Sequence, residues 1–230
     1  MSRLSVRIGF WSAVLIFATF LVFTACFIGT FLVNPIFKWT DLPGYVSYVT
    51  TYNQIFKNVA QLSMLLFALL FIVLLNCLLD YAPESKRVLS RTAICFSVLF
   101  ALLVSTHYFV QLSAVRLSIL KGQLQGLEQI VQGNPLSAFS AMNMLGWTLF
   151  LGLTSLFIAP IFSGGKLEKS LRVLFILNGV FCILGGVGYV FDIVALIFLT
   201  INFGMGGAML AISWLLAVLF DRMQKESVVR

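Results

Sequence analysis

From Ile8 to Val33 the chain carries no charge, and comparable apolar runs recur along its length. About 20 apolar residues in a helix cross the roughly 30 Å hydrocarbon layer of a bilayer. Lipid offers backbone groups no hydrogen-bond partner, so each run must pair its own N–H and C=O groups and is read as a helix. The pattern predicts six spans, at about 8–33, 59–79, 92–115, 136–162, 171–191 and 197–220. The expected fold class is all-α: a single integral membrane domain over residues 1–230, built as a polytopic transmembrane bundle.

The breaks between runs have turn chemistry. Asn34-Pro35 and Asp41-Leu42-Pro43-Gly44 end the first run, and Asp80 to Arg91 reads as a short charged loop. At Gly133-Asn134-Pro135 one helix stops and another starts, with Asn134 as its expected cap and Pro135 in its first turn. Ser163-Gly164-Gly165-Lys166 is a further turn. Only Asp192 interrupts Leu171 to Phe220, yet a helix of that length would reach about 75 Å, so a hairpin is required there.

Two connecting segments alternate polar and apolar positions at helical spacing. Tyr45, Tyr48 and Tyr52 share one face, as do Leu117, Leu120, Leu124, Leu127 and Val131. Both are expected to be amphipathic segments at the outer end, lying on the bilayer or capping the bundle.

Charge then sets the orientation. Arg3, Arg7, Lys86, Arg87, Arg91, Lys166, Lys169, Arg172, Arg222, Lys225 and Arg230 fall on one side, against Lys38, Lys57, Arg116 and Lys121 on the other. Basic loops are retained in the cytoplasm, so both termini are expected there. Trp11 and Trp214 then lie near the inner interface and Trp39 near the outer one.

Composition agrees: 60% of residues are hydrophobic and 10% charged, against about 25% charged in soluble domains. The net charge of +7 sits at the ends of apolar runs and not in a patch, which argues against nucleic acid. Cys26, Cys77, Cys95 and Cys182 lie in or beside apolar runs without a CxxC pair, as small core residues do. Phe23-Thr24-Ala25-Cys26 loosely resembles a lipoprotein cleavage site, but the apolar run continues through Phe27 to Val33, so the segment is kept as a membrane helix.

The third span contains the chain's one histidine, in Ser105-Thr106-His107-Tyr108-Phe109-Val110-Gln111, and ends at Arg116. His107 and Gln111 share a face, with Tyr108 beside it. His107 is fifteen residues beyond Thr92, roughly 22 Å, and so in the outer third. Asn143, Asp192 and Asn202 reach similar depth. Polar side chains inside a membrane face the bundle interior and are functional by default. Together these residues are expected to form an outward-facing polar pocket for a small or lipid-like ligand; the simpler reading is a hydrogen-bonded network joining helices. His107 is expected to face inward, because Leu99, Leu102, Leu103 and Phe109 offer lipid an apolar face.

Catalytic constellations are sparse. His107 could serve Ser105 or Ser140 as a base, but there is no G-x-S-x-G elbow. One histidine and no clustered carboxylates argue against a metal, and no phosphate-cradling motif or cofactor signature is present. Gly204 and Ala208 form a small-xxx-small pair for close helix packing. No extended internal repeat stands out, which weakens a transporter built from repeats.

At His107-Tyr108-Phe109-Val110-Gln111, Asn134-Pro135, Leu145-Gly146-Trp147 and Ala159-Pro160-Ile161-Phe162 the chain resembles a group of uncharacterised prokaryotic six-span membrane proteins, over most of residues 90–220. The resemblance implies a bacterial or archaeal cytoplasmic membrane and brings no activity with it. The expected function is therefore binding or passage of a small or lipid-like ligand. The alternatives are a structural or assembly subunit, with homo-oligomerisation or a partner subunit, and an intramembrane lipid hydrolase using His107.

Overall fold

The computed structural model describes residues 1–229; Arg230, one of the basic residues counted above, lies outside them. The described residues contain no strand. The apolar runs form helices α1 (Arg3–Val33), α3 (Ile55–Tyr81), α4 (Glu84–Leu120), α5 (Ala138–Ile161), α6 (Lys166–Val190) and α7 (Val194–Glu226), each long and apolar enough to cross a membrane. A shorter helix, α2 (Leu42–Thr51), lies between α1 and α3. This is the expected all-α bundle of six spans.

Helix starts follow capping chemistry. Ser2 Oγ accepts from the Ser5 amide at 3.0 Å, Asp41 Oδ1 from Gly44 at 2.7 Å, and Ser137 Oγ from Ser140 at 3.0 Å. The last corrects the expectation at Asn134. That side chain instead shapes the preceding turn, accepting from the Leu136 amide at 2.9 Å and donating to the Glu128 carbonyl at 2.8 Å. The charged segment Asp80 to Arg91 is also helical, apart from the break at Ala82 and Pro83. Hydropathy marks where hydrocarbon ends, while the helix runs on until proline stops it.

Each span packs chiefly against its neighbours in sequence, and α7 closes against α1. The result is a ring of six helices. Aromatic side chains fill its interior: Phe67 meets Phe20 at 4.8 Å between ring centres, Phe71 at 5.5 Å, Phe100 at 5.8 Å and Trp147 at 5.8 Å. Leu62, Leu66, Leu69 and Val73 of α3 point outward, as do Leu99, Leu102 and Phe109 of α4. In a soluble protein such belts would be an aggregation hazard; around a spanning bundle they face acyl chains. Trp11 and Trp214 are likewise exposed, whereas Trp147 is core.

Helices α5 and α6 approach closely. A Cβ on Gly179 would stand 2.6 Å from Leu156 Cγ and 3.0 Å from the Gly152 carbonyl oxygen, so the two backbones nearly touch. Gly204 makes room for the Phe181 ring, and Ala208 is buried.

The end of the bundle opposite the termini, called distal below, has its own cap. Tyr45, Val115, Leu127 and Val131 are buried there, with Phe37, Trp39, Leu42, Val49 and Leu124 packed around them. Tyr48 of α2 donates to the Pro35 carbonyl at 3.0 Å, and burial, with Tyr52 and Tyr45 nearby, holds its phenol above the ordinary value. The expected single face over residues 117–131 is corrected. The helix ends at Leu120, and Gly122 and Gly126 adopt φ of +67° and +79°, which fold the segment into turns. Leu127 and Val131 are buried in the cap, but Leu117 and Leu120 stay exposed.

Candidate functional site

Three spans carry a wide π-type turn in their distal halves, at Gln111–Val115, Gly146–Phe150 and Phe198–Met205. Such turns insert a residue and re-aim the side chains around them, and they concentrate at functional sites. Two of them flank the polar residues of α4 and α5.

His107 is 1% exposed and faces the bundle, as expected. Its Nδ1 lies 3.2 Å from the Phe139 carbonyl oxygen of α5, and its ring stacks on Phe139 with centres 5.8 Å apart. Tyr108 sits edge-on to the imidazole at 5.2 Å. Tyr108 and, one turn beyond Phe139 on α5, Asn143 are also buried, so α4 and α5 share one buried polar cluster. Neither Ser105 nor Ser140 bonds the imidazole; Ser140 donates to the Asn134 carbonyl at 3.1 Å.

Gln111, one turn beyond His107, works on the cap. Its amide nitrogen donates to the Ile130 carbonyl at 2.5 Å, and its oxygen accepts from the Gln132 amide at 3.0 Å. Gln61 of α3 donates to Gln132 Oε1 at 2.5 Å, so three glutamines tie α3 and α4 to the loop above them. Burial leaves the Gln61 and Gln111 amides no solvent to bond, which accounts for the pairing.

The remaining expected site residues are elsewhere. Arg116 is exposed, and its Nε donates back to the Leu112 carbonyl at 3.1 Å. Asn202 donates to Phe198 of its own helix at 3.3 Å. Asp192 is exposed in the turn between α6 and α7 with φ of +54°. A hairpin this short needs a left-handed residue, and aspartate tolerates that conformation better than bulkier side chains do. The expected pocket is therefore reduced to His107, Tyr108 and Asn143, with Gln111 fastening the roof.

Nothing in the hydrophobic pattern marked two further features. Asn178, in mid-membrane on α6, is wholly buried and donates to Ser155 Oγ at 2.7 Å. It lies within an otherwise apolar run, where its partner is invisible until α5 and α6 are brought together. The second feature is a groove of about 420 Å³ in the distal half, between α5 and α6. Ala141, Leu145, Leu149, Ile183, Gly186 and Val187 are among its lining residues, and its polar atoms are few. It lies on the side of α5 away from His107. The structure thus separates what the sequence joined: a polar cluster between α4 and α5, and an apolar groove between α5 and α6.

No family model, curated protein or solved structure matches the chain. The six long apolar helices make it a multi-pass integral membrane protein.

Proposed function

We propose that the protein binds a lipid-like ligand by holding an acyl chain in the groove between α5 and α6. The observation that carries this reading is the groove itself. Its volume of about 420 Å³ falls within the usual ligand range of roughly 300–1,000 Å³. Its rim residues Leu145, Leu149 and Val187 belong to the exposed belt, so a chain enters from the bilayer without crossing water. Tyr189 lies at the distal mouth and donates to the Pro135 carbonyl at 3.1 Å, which braces that end.

Ala141→Phe should fill the groove from its exposed distal edge. Lipid retained per protein through gentle-detergent purification, read by native mass spectrometry, should drop about tenfold, equivalent to ~1.4 kcal/mol. Leu102→Phe, on the exposed face of α4, should leave retention unchanged. Equal retention in both variants would remove the proposal.

The basic asymmetry supports cytoplasmic termini, and with that orientation the groove opens to the outer leaflet. In intact cells, a cysteine-free variant carrying Glu128→Cys should react with an impermeant maleimide. The same background carrying Lys169→Cys should react only after lysis. The opposite pattern would invert the orientation.

A further inference from the structure

The polar cluster between α4 and α5 holds two acceptors without donors. His107 Nδ1 is bonded to the Phe139 carbonyl, and a carbonyl oxygen only accepts, so the ring proton sits on Nδ1. Nε2 of the neutral ring is then a bare lone pair. It is buried and has no partner, and the same is true of Asn143 Oδ1. His107 is 1% and Asn143 9% exposed, so bulk water satisfies neither.

The two atoms belong to one place. Phe139, which holds the imidazole, lies one helical turn before Asn143 on α5. The Phe139 carbonyl points along α5 toward that next turn, so the imidazole bonded to it and Asn143 lie at one level of the α4–α5 interface. An unpaired acceptor buried in a low-dielectric interior is costly, and two in one cluster call for a donor.

Charge narrows the choice. A cation at Nε2 would be stripped of water in a buried cluster that has no carboxylate to offset its charge. A carboxylate or phosphate would set lone pairs against lone pairs. We propose that His107 Nε2 and Asn143 Oδ1 form a binding site for a neutral O–H donor, either a water molecule or the hydroxyl of an amphiphile. The site lies on the opposite side of α5 from the groove, so it stands whether or not the groove holds a lipid.

His107 is the one histidine in the chain, so labelling with ¹⁵N-histidine yields a single imidazole. The full chain would be studied by solid-state NMR in two bilayers, pure phosphatidylcholine and phosphatidylcholine mixed with phosphatidylglycerol. The expected spectrum has a protonated Nδ1 and an unprotonated Nε2 shifted by an accepted hydrogen bond. If the shift appears in both bilayers and persists in Tyr108→Phe the donor is water; if only with phosphatidylglycerol, it is the lipid hydroxyl; loss of the shift in Tyr108→Phe assigns the donor to the protein itself and overturns the proposal. Asn143→Leu should weaken or abolish the Nε2 shift while leaving Nδ1 protonated. A protonated Nε2, or an Nε2 signal of a free acceptor in both bilayers, would overturn the proposal. The wild-type spectra decide it even if Asn143→Leu fails to fold.

Discussion

Phe67→Ala should cost about 3–5 kcal/mol of stability, the range for removing a large aromatic side chain from a packed core. Phe67 is fully buried and touches Phe20 of α1, Phe71 of its own helix, Phe100 of α4 and Trp147 of α5. In a bilayer the loss is one of contact more than of hydrophobic driving force, since lipid is as apolar as the core. A void enclosed by four rings gives the lining atoms no substitute partners. Phe109→Ala supplies the comparison: Phe109 is 64% exposed, and lipid can fill the space it vacates. Its cost should stay near 0.5 kcal/mol. Reversible denaturation in mixed micelles measures both, and equal losses would refute the filled ring interior.

Gly179→Leu should be comparably damaging for the opposite reason. Added bulk would meet the Gly152 carbonyl oxygen, a backbone atom that cannot rotate away. Overpacking of this kind costs about 1–3 kcal/mol where side chains can give, and more where backbone must move. Alanine sharpens the test. Gly→Ala inside a helix ordinarily gains about 0.5–1 kcal/mol. Gly179→Ala should nevertheless destabilise, while Gly207→Ala, whose new Cβ would have nothing within 4 Å, should be neutral or stabilising. If both glycines respond alike, α5 and α6 do not approach through Gly179.

The partial survival of the expected site shows where pattern reading runs out. The pattern of α4 turns His107 inward because its other face has enough leucine and phenylalanine to meet lipid, and His107 is indeed buried. Gln111 shares that helix face but projects one turn higher, where the loop over 130–132 needs donors and an acceptor. Asp192 has the right depth, yet depth says nothing about direction, and the turn claimed its backbone. Asn202 and Arg116 reached carbonyls on their own helices, an outlet open to any long polar side chain near a helix surface. The Asn178–Ser155 pair is not legible in the sequence because neither residue signals its partner along the chain.

What the sequence determined by itself is the number of spans, their approximate limits and the inward face of α4. These rest on transfer between water and lipid and on the helical period, both local in the chain. The Asn134 turn, the break at Gly122 and Gly126, the π-type turns and the Gly152–Gly179 contact were decided by the tertiary structure. So were the separation of the polar cluster from the groove and the two unpaired acceptors at its centre. Lipid outside the bundle makes every apolar face acceptable to solvent, so hydropathy alone carries little information about which face meets which. Only the packing of one helix against the next, where shape and hydrogen bonds must match, selects among them.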